Sequence, residues 1–201
     1  MNSEGLVFAF LVGIVAGLGS GLLTTLVYAF EDLFNKLPIH WIWWPAIGGL
    51  FIGIGGLIEP RVLGVGYETI YELLRGHIVG VALLGILIGK SFVWSLALGS
   101  GTSGGVLAPL LMMGGALGAG LAQFIPIGDT GVWALIGMAG MMGGAMRSPL
   151  TAMIFALELT QDLNLLPGLL AGCVAAHAIG LVHFLHPYKL VHRKPGRGGG
   201  D

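Results

Sequence analysis

The segment Gly99-Ser-Gly-Thr-Ser-Gly-Gly-Val-Leu-Ala-Pro-Leu110 lies inside a stretch, Ser91 to Gly128, without a single Asp, Glu, Lys, Arg or His. The stretch is long enough for more than one apolar helix, yet Gly, Ser and Thr, all poor helix formers, fill positions 99 to 105. Broken backbone at membrane depth is tolerated only where protein buries it or where it lines a polar cavity. Glycines remove side chains so that backbone amides can face such a cavity. A helix is expected to begin at about Val106, with Pro109 in its first turn, where a missing N–H costs nothing. A helix start offers unpaired N–H groups and about half a positive charge. With no Lys or Arg nearby, it suits an anion that must bind and also leave.

The rest of the chain fits that setting. Of 201 residues, 55% are hydrophobic and only 9% charged, against roughly 25% charged in an average soluble domain. Mean hydropathy is +0.90, and Gly supplies 37 residues. Too few charges remain to cover a soluble surface, and the hydrophobicity excludes disorder. The net charge is −1 and the nine Lys and Arg form no internal basic stripe, so a nucleic-acid partner has no electrostatic support. A single cysteine, Cys173, excludes an intrachain disulfide framework and a paired-cysteine metal site. His177, His183 and His186 share one apolar run, but no cysteine or clustered carboxylate completes a metal set with them. Packing is their expected role, and no metal or cofactor is expected.

Ionisable residues divide the chain into spans. Gly5 to Phe30 and Trp41 to Ile58 carry none, apart from Tyr28, and a spanning helix needs about 20 apolar residues. The first run is too long for a signal peptide, lacks a basic start and is followed by Glu31 and Asp32, so it reads as a retained span. Residues 59 to 77 form a charged connector with one amphipathic helix. Further apolar segments follow at 78–98, 106–124, 132–145, 149–160 and 165–185. Several are shorter than a full span, which is the pattern of transporter half-helices. The pairs Gly13/Gly17, Gly49/Gly53, Gly114/Gly118 and Gly140/Gly144 predict close helix crossings. The expected fold is an all-α polytopic membrane protein with broken and short helices.

Two motif matches compete with the anion reading. Gly99 to Gly104 fits G-x-G-x-x-G, but no strand precedes it and no ribose-binding acid follows at the required distance. Gly101-Thr-Ser103-Gly104 and Ala176-His177-Ala-Ile-Gly180 resemble the serine and histidine motifs of rhomboid intramembrane proteases, which would make Ser103 the nucleophile and His177 its base. No Asn follows a histidine at the spacing rhomboids use, no Trp-Arg loop motif is present, and Pro109 interrupts the expected serine helix.

The segment as a whole more closely resembles the CLC family of chloride channels and proton-coupled anion exchangers. Gly105-Val106-Leu107-Ala108-Pro109 is similar to the family's G-x-F-x-P motif at the start of helix N. Gly137-Met-Ala-Gly140, Arg147-Ser-Pro-Leu-Thr151 and Leu157-Glu-Leu-Thr160 resemble its helix O to helix P signature, and Val62-Leu-Gly-Val-Gly-Tyr67 its connector after helix K. The likeness runs from about Gly5 to Tyr188 and implies the second half of a CLC pore, helices J to R, one of two inverted repeats. It implies transport of chloride or a similar anion, not catalysis. Gly105, Val106 and Leu107 would line the anion site, with Leu107 in place of the usual Phe. Tyr188 is the one candidate for the anion-binding Tyr of helix R. Motifs of the first half, G-S-G-I-P and G-[KR]-E-G-P, are not in this chain. Ser100 is not followed by Ile-Pro, so that serine's role is not transferred to it. The implied partners are chloride, the lipid bilayer, an N-terminal CLC half, and a second copy docking through the 149–160 and 165–185 helices.

Lys90, Arg147, Glu158 and His177 lie in or beside apolar segments, where charge is functional by default. Arg147 and Glu158 are expected to cap and pin short helices, with a proton-linked role as the alternative. Residues 1–188 read as the transmembrane part and 189–201 as a basic, Gly-rich tail. The tail carries Lys189, Arg193, Lys194 and Arg197, which places the C-terminus in the cytoplasm of a multi-pass protein of the cell membrane.

Overall fold

The computed structural model describes residues 2–58, 60–63 and 66–191, the side chains of Val62 and of 183–191 excepted. Among the described residues the chain is built from helices and short connections. Helix α1, Ser3–Asn35, has 33 residues and is therefore about 50 Å long, more than the roughly 30 Å of a hydrocarbon core. A short 3₁₀ turn at Trp41–Trp43 leads into α2, Trp44–Ile58. The connector contains the amphipathic α3, Tyr67–Leu74. Then come α4 (Val81–Gly99), α5 (Leu107–Ala122), α6 (Thr130–Met146), α7 (Pro149–Thr160) and α8 (Leu166–Val191). Four segments are long and apolar enough to cross a membrane: Ser3–Asn35, Trp41–Ile58, Val81–Gly99 and Leu163–Val182. Helices α5, α6 and α7 are shorter and apolar.

Glycine dictates how the central helices meet. Between hydrocarbon tails and apolar side chains there is no hydrophobic driving force, so helices associate by close backbone packing. A Cβ on Gly13 or Gly17 of α1 would strike the backbone of Gly172 or Ala176 of α8. On Gly114 or Gly118 of α5 it would strike the backbone of α6 at Gly137–Met138 or Trp133–Ala134. Gly140 faces Ala16 of α1, and Gly144 lies against Ser20 of α1 and Ala176 of α8. Large side chains fill what the glycines leave. Met112, Met113, Met138, Met141 and Met142 are all buried, their unbranched thioethers suiting an irregular core.

Short connections end the helices sharply. Arg147 closes α6 in the left-handed region (φ 55°) and Gln161 closes α7 likewise (φ 53°). Pro149 then occupies the first turn of α7, where its fixed φ favours a helix start. One expectation is revised: Gly49 and Gly53 of α2 make no close crossing, since a Cβ on either would meet nothing within 4 Å. The apolar segment expected at 165–185 forms α8, whose backbone continues without a break from Leu166 to Val191.

Candidate functional site

The chain leaves α4 through a Schellman motif. The Gly101 N–H donates to the Leu98 carbonyl (3.0 Å) and the Thr102 N–H to the Ala97 carbonyl (3.2 Å). Gly101 has φ +78°, the left-handed conformation this stop requires and the reason glycine occupies it. Ser100 is 1% exposed. Its hydroxyl donates to the Ala97 carbonyl (2.7 Å) and shares a hydrogen bond with the Thr102 hydroxyl (2.9 Å). That hydroxyl is spent inside the turn, in keeping with its not standing in for a ligand-binding serine.

Neighbouring helices hold the turn from two sides. Gly99 lies against Phe30 and Glu31 near the end of α1, and Gly48 of α2 lies against Ser100. The Phe30 and Phe92 rings meet edge to face at 5.4 Å. Beyond the turn, residues 102–105 belong to no helix or strand, and Ser103, Gly104 and Gly105 are exposed. A Cβ on Gly105 would meet nothing within 4 Å. One flank of the loop is thus packed on the helices and the other is open.

Helix α5 begins at Leu107, one residue later than expected, with Val106 at the N-cap position and no side chain capping it. Pro109 falls in the first turn and is buried. Among the described residues no acceptor takes the Val106 N–H. The Trp94 indole N–H donates to the Gly105 carbonyl at 3.2 Å, a contact that no local pattern around Trp94 announces. Gly105, Val106 and Leu107 therefore stand together at the open end of α5.

The other candidates lie elsewhere. Arg147 sits in the α6–α7 turn and Glu158 in the last turn of α7, both exposed. Lys90 is buried in α4, 5% exposed, and has an interaction partner. The Tyr188 side chain lies outside the described residues. Ser103 is exposed in the loop, whereas His177 is on α8 with its Nδ1 buried and without a partner among the described residues. Ser103 and His177 thus make no nucleophile–base hydrogen bond through that atom.

Comparison with known proteins agrees with the CLC resemblance. The family profile described as "Voltage gated chloride channel" matches residues 1–181. The voltage-gated ClC-type chloride channel ClcB of Escherichia coli O17:K52:H18 is 35% identical over 173 residues. That match covers 83% of this chain and 41% of the relative. ClcB of E. coli K12 (strain DH10B) gives the same figures. The chain thus spans about two-fifths of the length of these relatives. Among solved structures, a slow cyanobacterial Cl⁻/H⁺ antiporter superposes with a TM-score of 0.80 at 21% identity, over 96% of this chain and 49% of the antiporter chain. The serine-protease reading of Ser103 and His177 finds no support in these likenesses. With its profile matched over nine-tenths of its length and its fold shared, this chain belongs to the voltage-gated chloride channel (CLC) family.

Proposed function

We propose that this chain supplies one wall of a transmembrane pathway for chloride or a similar anion, as part of a CLC-type channel or proton-coupled antiporter. The observation that carries the reading is the uncapped start of α5, whose Gly105–Val106–Leu107 backbone faces the open flank of the loop. The N–H groups of Val106 and Leu107 contact the anion, and Gly105 keeps the approach clear. Tyr188 is the candidate for a hydroxyl contact. Arg147 and Glu158 pin the ends of short helices.

One wall is not enough. A helix N-terminus stabilises an anion by about 0.3–1 kcal/mol when exposed and up to about 2 when partly buried. Removing an ion from water costs several kcal/mol even after relaxation. A complementary half, homologous to the part of the relatives that this chain does not span, supplies the opposing contacts. The protein sits in the cell membrane with the C-terminus in the cytoplasm, as the four basic residues after Tyr188 favour. It dimerises through 149–160 and 165–185, where Leu150, Ile154, Leu170 and Val174 are exposed apolar residues.

The test is chloride efflux from liposomes. The chain alone gives no selective chloride flux, and co-expression with a matching first half restores it. Robust selective efflux from the chain alone would end the half-pathway reading.

A further inference from the structure

The hydrogen bond from Trp94 to Gly105 has a consequence for the next peptide group. A trans peptide is planar, and its C=O and N–H point in opposite directions. The Gly105 carbonyl is drawn toward α4 by the Trp94 indole at 3.2 Å. The N–H of Val106, in the same peptide plane, must therefore point away from α4, toward the open flank of the loop. Little else fixes that plane. Gly105, which precedes that peptide, has no Cβ to restrict its rotation, and a Cβ there would touch nothing within 4 Å. No side chain caps the start of α5. Trp94 itself packs against the buried cluster of Leu23, Leu110 and Met113, and α4 is anchored by Val93 and Leu96 against Gly55 and Gly48 of α2 and by Ser91 on Met113 of α5.

We infer that Trp94 is a positioning residue: its indole N–H locks the Gly105–Val106 peptide so that the Val106 amide is presented to the open side of the loop as an anion donor. The last clause rests on the function proposed above, whereas the locking of the peptide does not. Without the lock, rotation about ψ of Gly105 with a compensating change in φ of Val106 can turn the peptide over. It would then present a carbonyl, a negative dipole end, where an anion is to bind.

NMR of the isotope-labelled full chain in lipid nanodiscs tests both clauses. Trp94→Phe keeps a ring but removes the donor. It should shift the Gly105 carbonyl-carbon resonance to the position of a carbonyl that has lost a hydrogen bond, while resonances at the α5–α6 crossing stay in place. In the assembly of the labelled chain with a complementary half, bromide should displace the Val106 amide resonance of the wild type, and Trp94→Phe should cut that displacement about threefold or more. If the phenylalanine variant does not fold, benzothienylalanine at position 94, which replaces N–H by sulfur at nearly constant shape, takes its place. Unchanged Gly105 and Val106 resonances and an unchanged bromide response would overturn the inference. A shifted Gly105 carbonyl with no bromide response even in the wild-type assembly would sustain the lock and overturn the anion reading instead.

Discussion

Gly13 with Gly17 and Gly49 with Gly53 are the same motif, two glycines four residues apart on an apolar helix, and they do opposite things. A Cβ on Gly13 or Gly17 would run into the backbone of α8. On Gly49 or Gly53 it would meet nothing within 4 Å. The first pair belongs to a core of α1, α5, α6 and α8 in which backbones touch. The second lies on the outer face of α2, whose inner face reaches α4 through Gly48 and Gly55. Gly105 in the loop belongs with the second pair. In this protein glycine is an instrument of contact in one region and of clearance in another, and only tertiary position separates the two.

Substitution in the core should have the largest effect. A Cβ on Gly137 of α6 would strike the Gly114 carbonyl and the backbone of Gly118. Backbone cannot swing aside as a side chain can, so Gly137→Val should cost about 3 kcal/mol or more. It should also abolish the monodisperse species seen by size-exclusion chromatography. A folded, equally stable Gly137→Val protein would mean that α5 and α6 do not cross where the structure places them.

Gly105→Val sharpens the comparison by separating stability from function. The valine side chain projects into open space, so thermal unfolding of the chain should not move. In the assembly with a complementary half, the same side chain occupies the anion's approach. Chloride affinity by calorimetry should fall at least about tenfold, or about 1.4 kcal/mol. Swaps of the Val106 side chain should be mild, since its amide and not its side chain makes the contact. Unchanged affinity in Gly105→Val would place the anion elsewhere.

These contrasts mark how far the sequence can be read. Charge-free runs and helix stops gave nearly every element, and α7 falls at 149–160 as expected from Pro149 and the polar residues after Thr160. Physical reasons for this are local: proline starts, glycine stops and apolar length. The loop was legible too, because seven consecutive Gly, Ser and Thr residues in a charge-free stretch cannot be a good helix. Trp94 was not. Its bond to Gly105 joins residues eleven apart, and whether the indole reaches that carbonyl depends on the path of a loop that propensity cannot trace. Nor could spacing alone tell Gly49/Gly53 from the three pairs that make crossings. The run of α8 on to Val191 was hidden because the apolar segment ends at 185, where hydrophobicity stops but the helix does not.

Ser103→Ala should change neither stability nor anion transport, and serine-reactive fluorophosphonates should leave the protein unlabelled. Ser103 is exposed in a loop, and the Nδ1 of His177 accepts no proton from it. Stoichiometric labelling at Ser103 would reopen the protease reading.

The smallest measurable change, and the most direct test of the comparison, is Gly49→Ala. Interior helix glycine is destabilising by roughly 0.5–1 kcal/mol relative to alanine, because the unfolded chain has more freedom to lose. At Gly13 that gain would be overwhelmed by collision with Gly172. At Gly49 nothing opposes it, so the alanine variant of the chain should be more stable by about 0.5–1 kcal/mol in reversible unfolding from mild detergent. The sign carries the information. A loss of stability would mean that a backbone packs against that face of α2 in solution, and that Gly49 belongs with the contact glycines rather than the clearance ones.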